Sequence, residues 1–135
     1  MNTTLTITPD QRAAIHCQLT QHLSGIGDVS LAYLGGQYEG AERLAGEYAQ
    51  DLALLADLGW APDDARESFE LTMPADELER ALRRLHSDAE AGLSNPEARR
   101  AEAENAEVLT AYARTAEVCS DLIAELSARG EGDAP

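Results

Sequence analysis

From Ala101 onward the side chains follow one repeating step. Ala101, Asn105, Val108, Tyr112, Thr115, Cys119, Leu122 and Leu126 succeed one another at alternating four and three residues, with Leu109, Ala116 and Ile123 beside the seam. That period belongs to a helix packed lengthwise on a neighbour, and a strand, whose side chains repeat every two residues, cannot produce it. The spacing predicts a helix over 96–129, roughly 50 Å long at 1.5 Å per residue. Asn95 is placed to cap it, Pro96 fits its first turn, and Glu97 suits the positive end of its dipole. Its opening turns, "EARRAEAENAE", hold almost no large apolar group and are expected to project or fray.

Upstream segments carry the same kind of signal. Thr8, Pro9 and Gln11 form a Thr-x-x-Gln capping box with proline at the first helical position, followed by Ile15, Leu19, Leu23 and Ile26. "SGIGD" then stops a helix over 9–24, and Asp28 is placed to cap a short helix over 28–34. Tyr38, Ala41, Ala45, Tyr48, Leu52 and Leu55 mark a helix over 37–58, with Gly59 ending it and Trp60 folding back on Leu55. Leu78, Leu82, Leu85, Ala89 and Leu93 mark another over 74–93. Between these two, Phe69 and Leu71 alternate with polar neighbours and allow a short extended piece. Alanine and leucine are abundant and aromatics are only 4 % of the chain, a composition that favours helices. The expectation is an all-α fold, a small bundle with a long C-terminal helix, in a single domain over 1–129 with a disordered tail over 130–135.

The glycine-rich stretch "LAYLGGQYEGAERLAG" (31–46) asks for a separate reading. It has neither the lysine and hydroxyl of a Walker loop nor the Gly-x-Gly-x-x-Gly of a dinucleotide fold. A continuous helix would bear about 1 kcal/mol per glycine at Gly35, Gly36 and Gly40. A corner between two helices removes that cost, because Gly35 or Gly36 can take a positive φ. Within it, "GQYEGAERLA" resembles the turn and second-helix start of a tetratricopeptide hairpin. Gly36, Tyr38 and Ala41 match, while Ala45 stands where an aromatic residue is usual. The pattern does not recur, and such arrays need about three repeats, so the resemblance implies corner geometry and no peptide groove. "DLALLADLGW" and "FELTMPADELERALRRL" resemble a family of small acidic helical proteins from high-GC bacteria, a resemblance that spans most of the chain and implies no activity.

A net charge of −15 opposes direct binding to nucleic acid or an anionic membrane. No apolar run approaches the length of a membrane span, and the N-terminus lacks the basic and apolar regions of a signal peptide. A cytoplasmic protein with reduced Cys17 and Cys119 is expected. His16 and His22 lie about 120° apart on a helix, which keeps them from sharing one metal. His86 and Glu90 share a face and are the weak metal candidates, but no Glu-x-x-His pair exists, and a ladder of surface ion pairs such as Glu79–Arg83 is the simpler reading. No nucleophile has an activating context, so no catalytic residue, cofactor or resident metal is assigned.

The function expected is that of a non-enzymatic interaction or regulatory protein. It self-associates, as a homodimer, or docks a protein partner through the last helix, at Asn105, Val108, Tyr112, Thr115 and Cys119. The alternatives are a small-molecule- or metal-binding bundle with a pocket at Tyr38, Tyr48, Trp60, Phe69 and Tyr112, and an acidic decoy that mimics nucleic acid.

Overall fold

The structure, a computed structural model, describes residues 2–25, 27–61, 65–100 and 104–133. Ile26 and Ala101, both placed on apolar stripes, fall outside the described residues, as do the side chain of Asp28 and residues 134–135. In chain order the elements are β1 (Asn2–Ile7), α1 (Pro9–Leu23), α2 (Gly27–Leu34), α3 (Tyr38–Leu58), β2 (Phe69–Pro74), α4 (Ala75–Leu93), α5 (Pro96–Arg100) and α6 (Ala106–Asp133). The fold is a mostly helical bundle with one small sheet.

That sheet is the first departure from an all-helical expectation. β1 and β2 pair antiparallel, with Leu5 opposite Leu71 and Ile7 opposite Phe69. Leu5, Ile7, Phe69, Leu71 and Met73 all point into the core, while Thr4 and Thr72 share a hydroxyl hydrogen bond of 3.0 Å on the outer side. The alternation Thr4-Leu5-Thr6-Ile7 is a strand signal of period two. Its partner lies far along the chain, so the pairing itself is a tertiary event.

α1 begins as its capping box requires. The Gln11 amide donates to Thr8 Oγ1 at 3.2 Å, and the Thr8 amide donates to Gln11 Oε1 at 3.0 Å. The corner between α2 and α3 closes as a Schellman motif on Gly36, whose φ is +80°. The Gln37 amide reaches Ala32 O at 2.9 Å and the Gly36 amide reaches Tyr33 O at 3.1 Å. Gly59 also has a positive φ, but its ψ of 145° extends the chain. Trp60 is accordingly exposed and does not fold back into the core.

The core joins Ile15 and Leu19 of α1, Leu54, Leu55 and Leu58 of α3, and Leu78, Leu82 and Leu85 of α4 to Val118, Cys119, Leu122 and Leu126 of α6. α6 packs chiefly along α4 and also on α1, whereas α2 packs on α3. The helix expected over 96–129 is interrupted. α5 ends at Arg100 and α6 starts at Ala106, with Glu104 and Asn105 in a turn directly before it. Asn105 precedes α6, and the Leu109 amide bonds its carbonyl at 2.9 Å, so it takes a cap position. At the other end α6 continues to Asp133, which makes residues 130–133 of the expected tail helical backbone.

Candidate functional site

Where α1, α3 and α4 converge, the core turns polar. Asp51 lies on the inward face of α3 between Tyr48 and Leu54 and is fully buried. Both of its oxygens are engaged: Oδ2 accepts from His22 Nδ1 and Oδ1 from Arg84 Nη2. Gln50 Oε1 accepts from Arg84 Nε and Nη2 at 3.4 and 3.2 Å. Because Nδ1 of His22 carries the proton given to Asp51, its 3.2 Å approach to Arg84 Nη1 is a packing contact. The remaining nitrogen, Nε2, faces Glu47 Oε2 at 3.9 Å, and the ring leans on Tyr48 with centroids 4.8 Å apart. Leaving a buried charge alone by deleting its partner costs about 3–5 kcal/mol, so this network specifies how the three helices meet.

Two cavities open on either side of Glu47. One, of about 290 Å³, is lined by Gln18, Gln21, His22, Glu47, Asp88 and Tyr112. Burial pushes the Asp88 carboxyl up from its ordinary 3.8, against the pull of Arg84 and His22. A histidine held by a buried aspartate is half of an acid–base pair. Among the described residues its lining holds no serine, threonine or cysteine, and its potential nucleophiles are the carboxylates of Glu47 and Asp88 and the Tyr112 phenol. The other cavity, of about 390 Å³, lies between α3 and α4 and is lined by Arg43, Gly46, Glu47, Gln50, Arg80 and Arg84.

A second polar group is architectural. Buried Arg12 donates from Nε to Leu58 O and from Nη2 to Gly59 O, both at 3.0 Å, and also to Ala61 O. His16 Nε2 donates to Trp60 O at 2.9 Å. These bonds satisfy carbonyls at and beyond the C-terminus of α3, where the helix dipole favours a cation. The Arg12 and Arg66 guanidinium carbons also stand 5.1 and 4.6 Å from the Phe69 ring centroid.

The side chains expected to form one aromatic pocket are dispersed. Phe69 and Tyr48 are core residues, while Tyr38 and Trp60 are exposed at opposite ends of α3, roughly 30 Å apart at helical rise. The residues expected to dock a partner on the last helix are mostly occupied within the chain. Thr115 is buried, with its hydroxyl directed at Ala14 O (3.2 Å) and Ala111 O (3.0 Å), which ties α6 to α1. Cys119 is fully buried, and that burial pushes its thiol up to about 12. The Tyr112 ring lies over Gly92 of α4; Asn105 is half-buried and Val108 exposed. His86 and Glu90 face each other at 3.5 Å on the surface of α4. Among the described residues no group of three metal-ligating side chains forms, around this pair or elsewhere. The expected surface pair Glu79–Arg83 forms at 3.3 Å.

Among the described residues, four of the seven exposed large apolar side chains gather at the glycine corner. Leu31 is 69 % exposed, Tyr33 63 %, Leu34 81 % and Tyr38 62 %. The two tyrosine rings meet edge to face with centroids 5.2 Å apart. Tyr38 is therefore a surface residue, contrary to its place on the expected stripe. Sequence reasoning missed both this surface and the Asp51 network. The available signals were a charge-free run from Val29 to Tyr38 and an aspartate spaced three and four residues from Tyr48 and Leu55.

No family model matches the chain, and neither a curated protein nor a solved structure matches it. No described helix is long and apolar enough to cross a membrane.

Proposed function

We propose that this protein is a helical interaction module that pairs with a second copy of itself through the α2–α3 corner. The observation that supports the reading is the exposure of Leu31, Tyr33, Leu34 and Tyr38 on a hairpin whose first helix is packed on the second. Together they offer on the order of 400 Å² of apolar and aromatic surface. That is within the range of a monomer's largest functional patch and about half of the ~800 Å² each partner gives to a standard interface. Flanking Ser30, Gln37 and the corner backbone extend it.

The patch is a place where a second copy can dock without like charges facing each other. Two chains of net charge −15 repel over most of their surfaces, and residues 29–38 form a ten-residue run without a charged side chain. A two-fold axis through the patch brings Tyr33 and Tyr38 of both copies together, and tyrosine is a favoured interface anchor.

Light scattering on wild type and Leu34→Glu tests this. Wild type is expected to show twice the 14.5 kDa chain mass at high micromolar concentration. Leu34→Glu, at a position too exposed to disturb the monomer, is expected to weaken the dimer by about 100-fold or more, since two leucines leave the interface. A monomeric wild type, or a dimer indifferent to the glutamate, overturns the proposal.

A further inference from the structure

We infer that the cleft between α3 and α4 is a binding site for a small doubly charged oxyanion, a phosphate or dicarboxylate group. α3 and α4 both pack on α1 and β2, and beside the core they share a cleft opens between them, crossed by Arg84 reaching Gln50 and Asp51. Into that gap α3 presents Arg43, Gly46, Glu47 and Gln50, which share one helix face, and α4 presents Arg80 and Arg84, one turn apart. Gly46 leaves its part of the wall open, since a Cβ there would meet nothing within 4 Å.

The charge in this cleft runs against the chain as a whole. Carboxylates outnumber arginines 25 to 10, yet the cleft is lined by three guanidinium groups, of which Arg84 is paired with Asp51, and by one carboxylate, Glu47. Arg84 is fixed by the buried Asp51 and by Gln50, with Asp88 at 3.9 Å, so its position is set before any ligand arrives. Arg43 and Arg80 are exposed, and among the described residues neither makes an ion pair or hydrogen bond. Glu39 and Glu47 flank Arg43 at helical spacing, and Asp76 stands one turn before Arg80. The structure uses none of these to neutralise them. Two unengaged guanidinium forks facing a common space match the geometry of an oxyanion, which each can hold through two parallel hydrogen bonds. Gln50 adds an amide, and Glu47 at the rim sets a limit on how much negative charge enters. The cavity of about 390 Å³ lies in the size range of small-molecule sites, which leaves room for the body that carries the anionic group.

Isothermal titration with inorganic phosphate and, separately, malonate tests the inference, with sodium chloride at matched ionic strength as the reference. Saturable binding of either anion is expected, and the arm that binds more tightly identifies the oxyanion source. The doubly substituted Arg43→Gln/Arg80→Gln protein is expected to bind at least about tenfold more weakly with unchanged far-UV circular dichroism, because both side chains are exposed. Leu34→Glu is expected to bind as wild type does, which separates this site from the α2–α3 surface. Absence of saturable binding by both anions, or binding that the double substitution leaves intact, overturns the assignment.

Discussion

Replacing Gly92 by alanine sets two terms of similar size against each other. Gly92 lies in the last turn of α4, where alanine is worth about 1 kcal/mol more than glycine on helix propensity alone. A Cβ at that position would stand 2.7 Å from Cε2 and Cζ of Tyr112 and 2.8 Å from its Cδ2. Optimal carbon separations are about 3.5–4.0 Å, so the ring must retreat by close to 1 Å. Inserting a methyl against a packed neighbour costs about 1–3 kcal/mol, and the half-buried ring can yield part of that distance. The net expectation is a loss of zero to about 2 kcal/mol in the wild-type background. The decisive comparison is Gly92→Ala in a Tyr112→Ala background, where the obstruction is gone and alanine should stabilise by about 1 kcal/mol. Equilibrium urea unfolding followed by helical circular dichroism reads all four corners of this cycle. If alanine stabilises by the same ~1 kcal/mol in both backgrounds, the coupling is nil. The Tyr112 ring then does not lie over Gly92, and the contact between α4 and α6 at this point is wrong.

Two further outcomes are expected from the ionisable groups. Asp88 is raised in the folded state, so across the window above 3.8 the folded protein holds more protons than the unfolded chain, and this group's contribution falls as pH rises. Relative to Asp88→Asn, wild type should therefore lose stability on going from below 3.8 to neutrality; parallel or opposite profiles in urea titrations would contradict the burial of this carboxyl. Cys17 is exposed while Cys119 is buried with its thiol pushed up to about 12. A thiol-specific reagent should label one cysteine in the native protein and both in denaturant, and native labelling of both would show that α6 does not seal Cys119 against α4.

Helix positions were legible because they depend on local spacing. α1, α3 and α4 begin and end within a residue of where their caps, prolines and apolar stripes place them. The interrupted helix shows the limit of that reading. Periodicity alone carried the seam through Asn105, but Asn105 lies in the turn before α6 and serves as a cap instead of a seam position. β1 was overlooked although Leu5 and Ile7 alternate with threonines, because a strand of six residues has no stability until Phe69–Pro74 returns to pair with it.

The candidate sites were less legible, for a related reason. A spacing rule reports which residues share a face and is silent on what that face meets. Tyr38 and Asp51 both sit on α3, the tyrosine on the apolar stripe and the aspartate a charged residue three and four positions from Tyr48 and Leu55 of that stripe. The tertiary structure leaves the tyrosine exposed at the N-terminal end of α3 and buries the aspartate, because α1 and α4 bring His22 and Arg84 to its two oxygens. Likewise Arg43 and Arg80 belong to different helices and acquire a joint meaning only when α3 and α4 stand apart across a cleft. The sequence by itself determined the helical class, the caps, the glycine corner and the acidic surface, since each follows from interactions over a few residues or from composition. The tertiary structure alone decided the strand pairing, the buried ion network, the exposed corner and the arginine cleft, since each requires groups distant in the chain to meet in three dimensions.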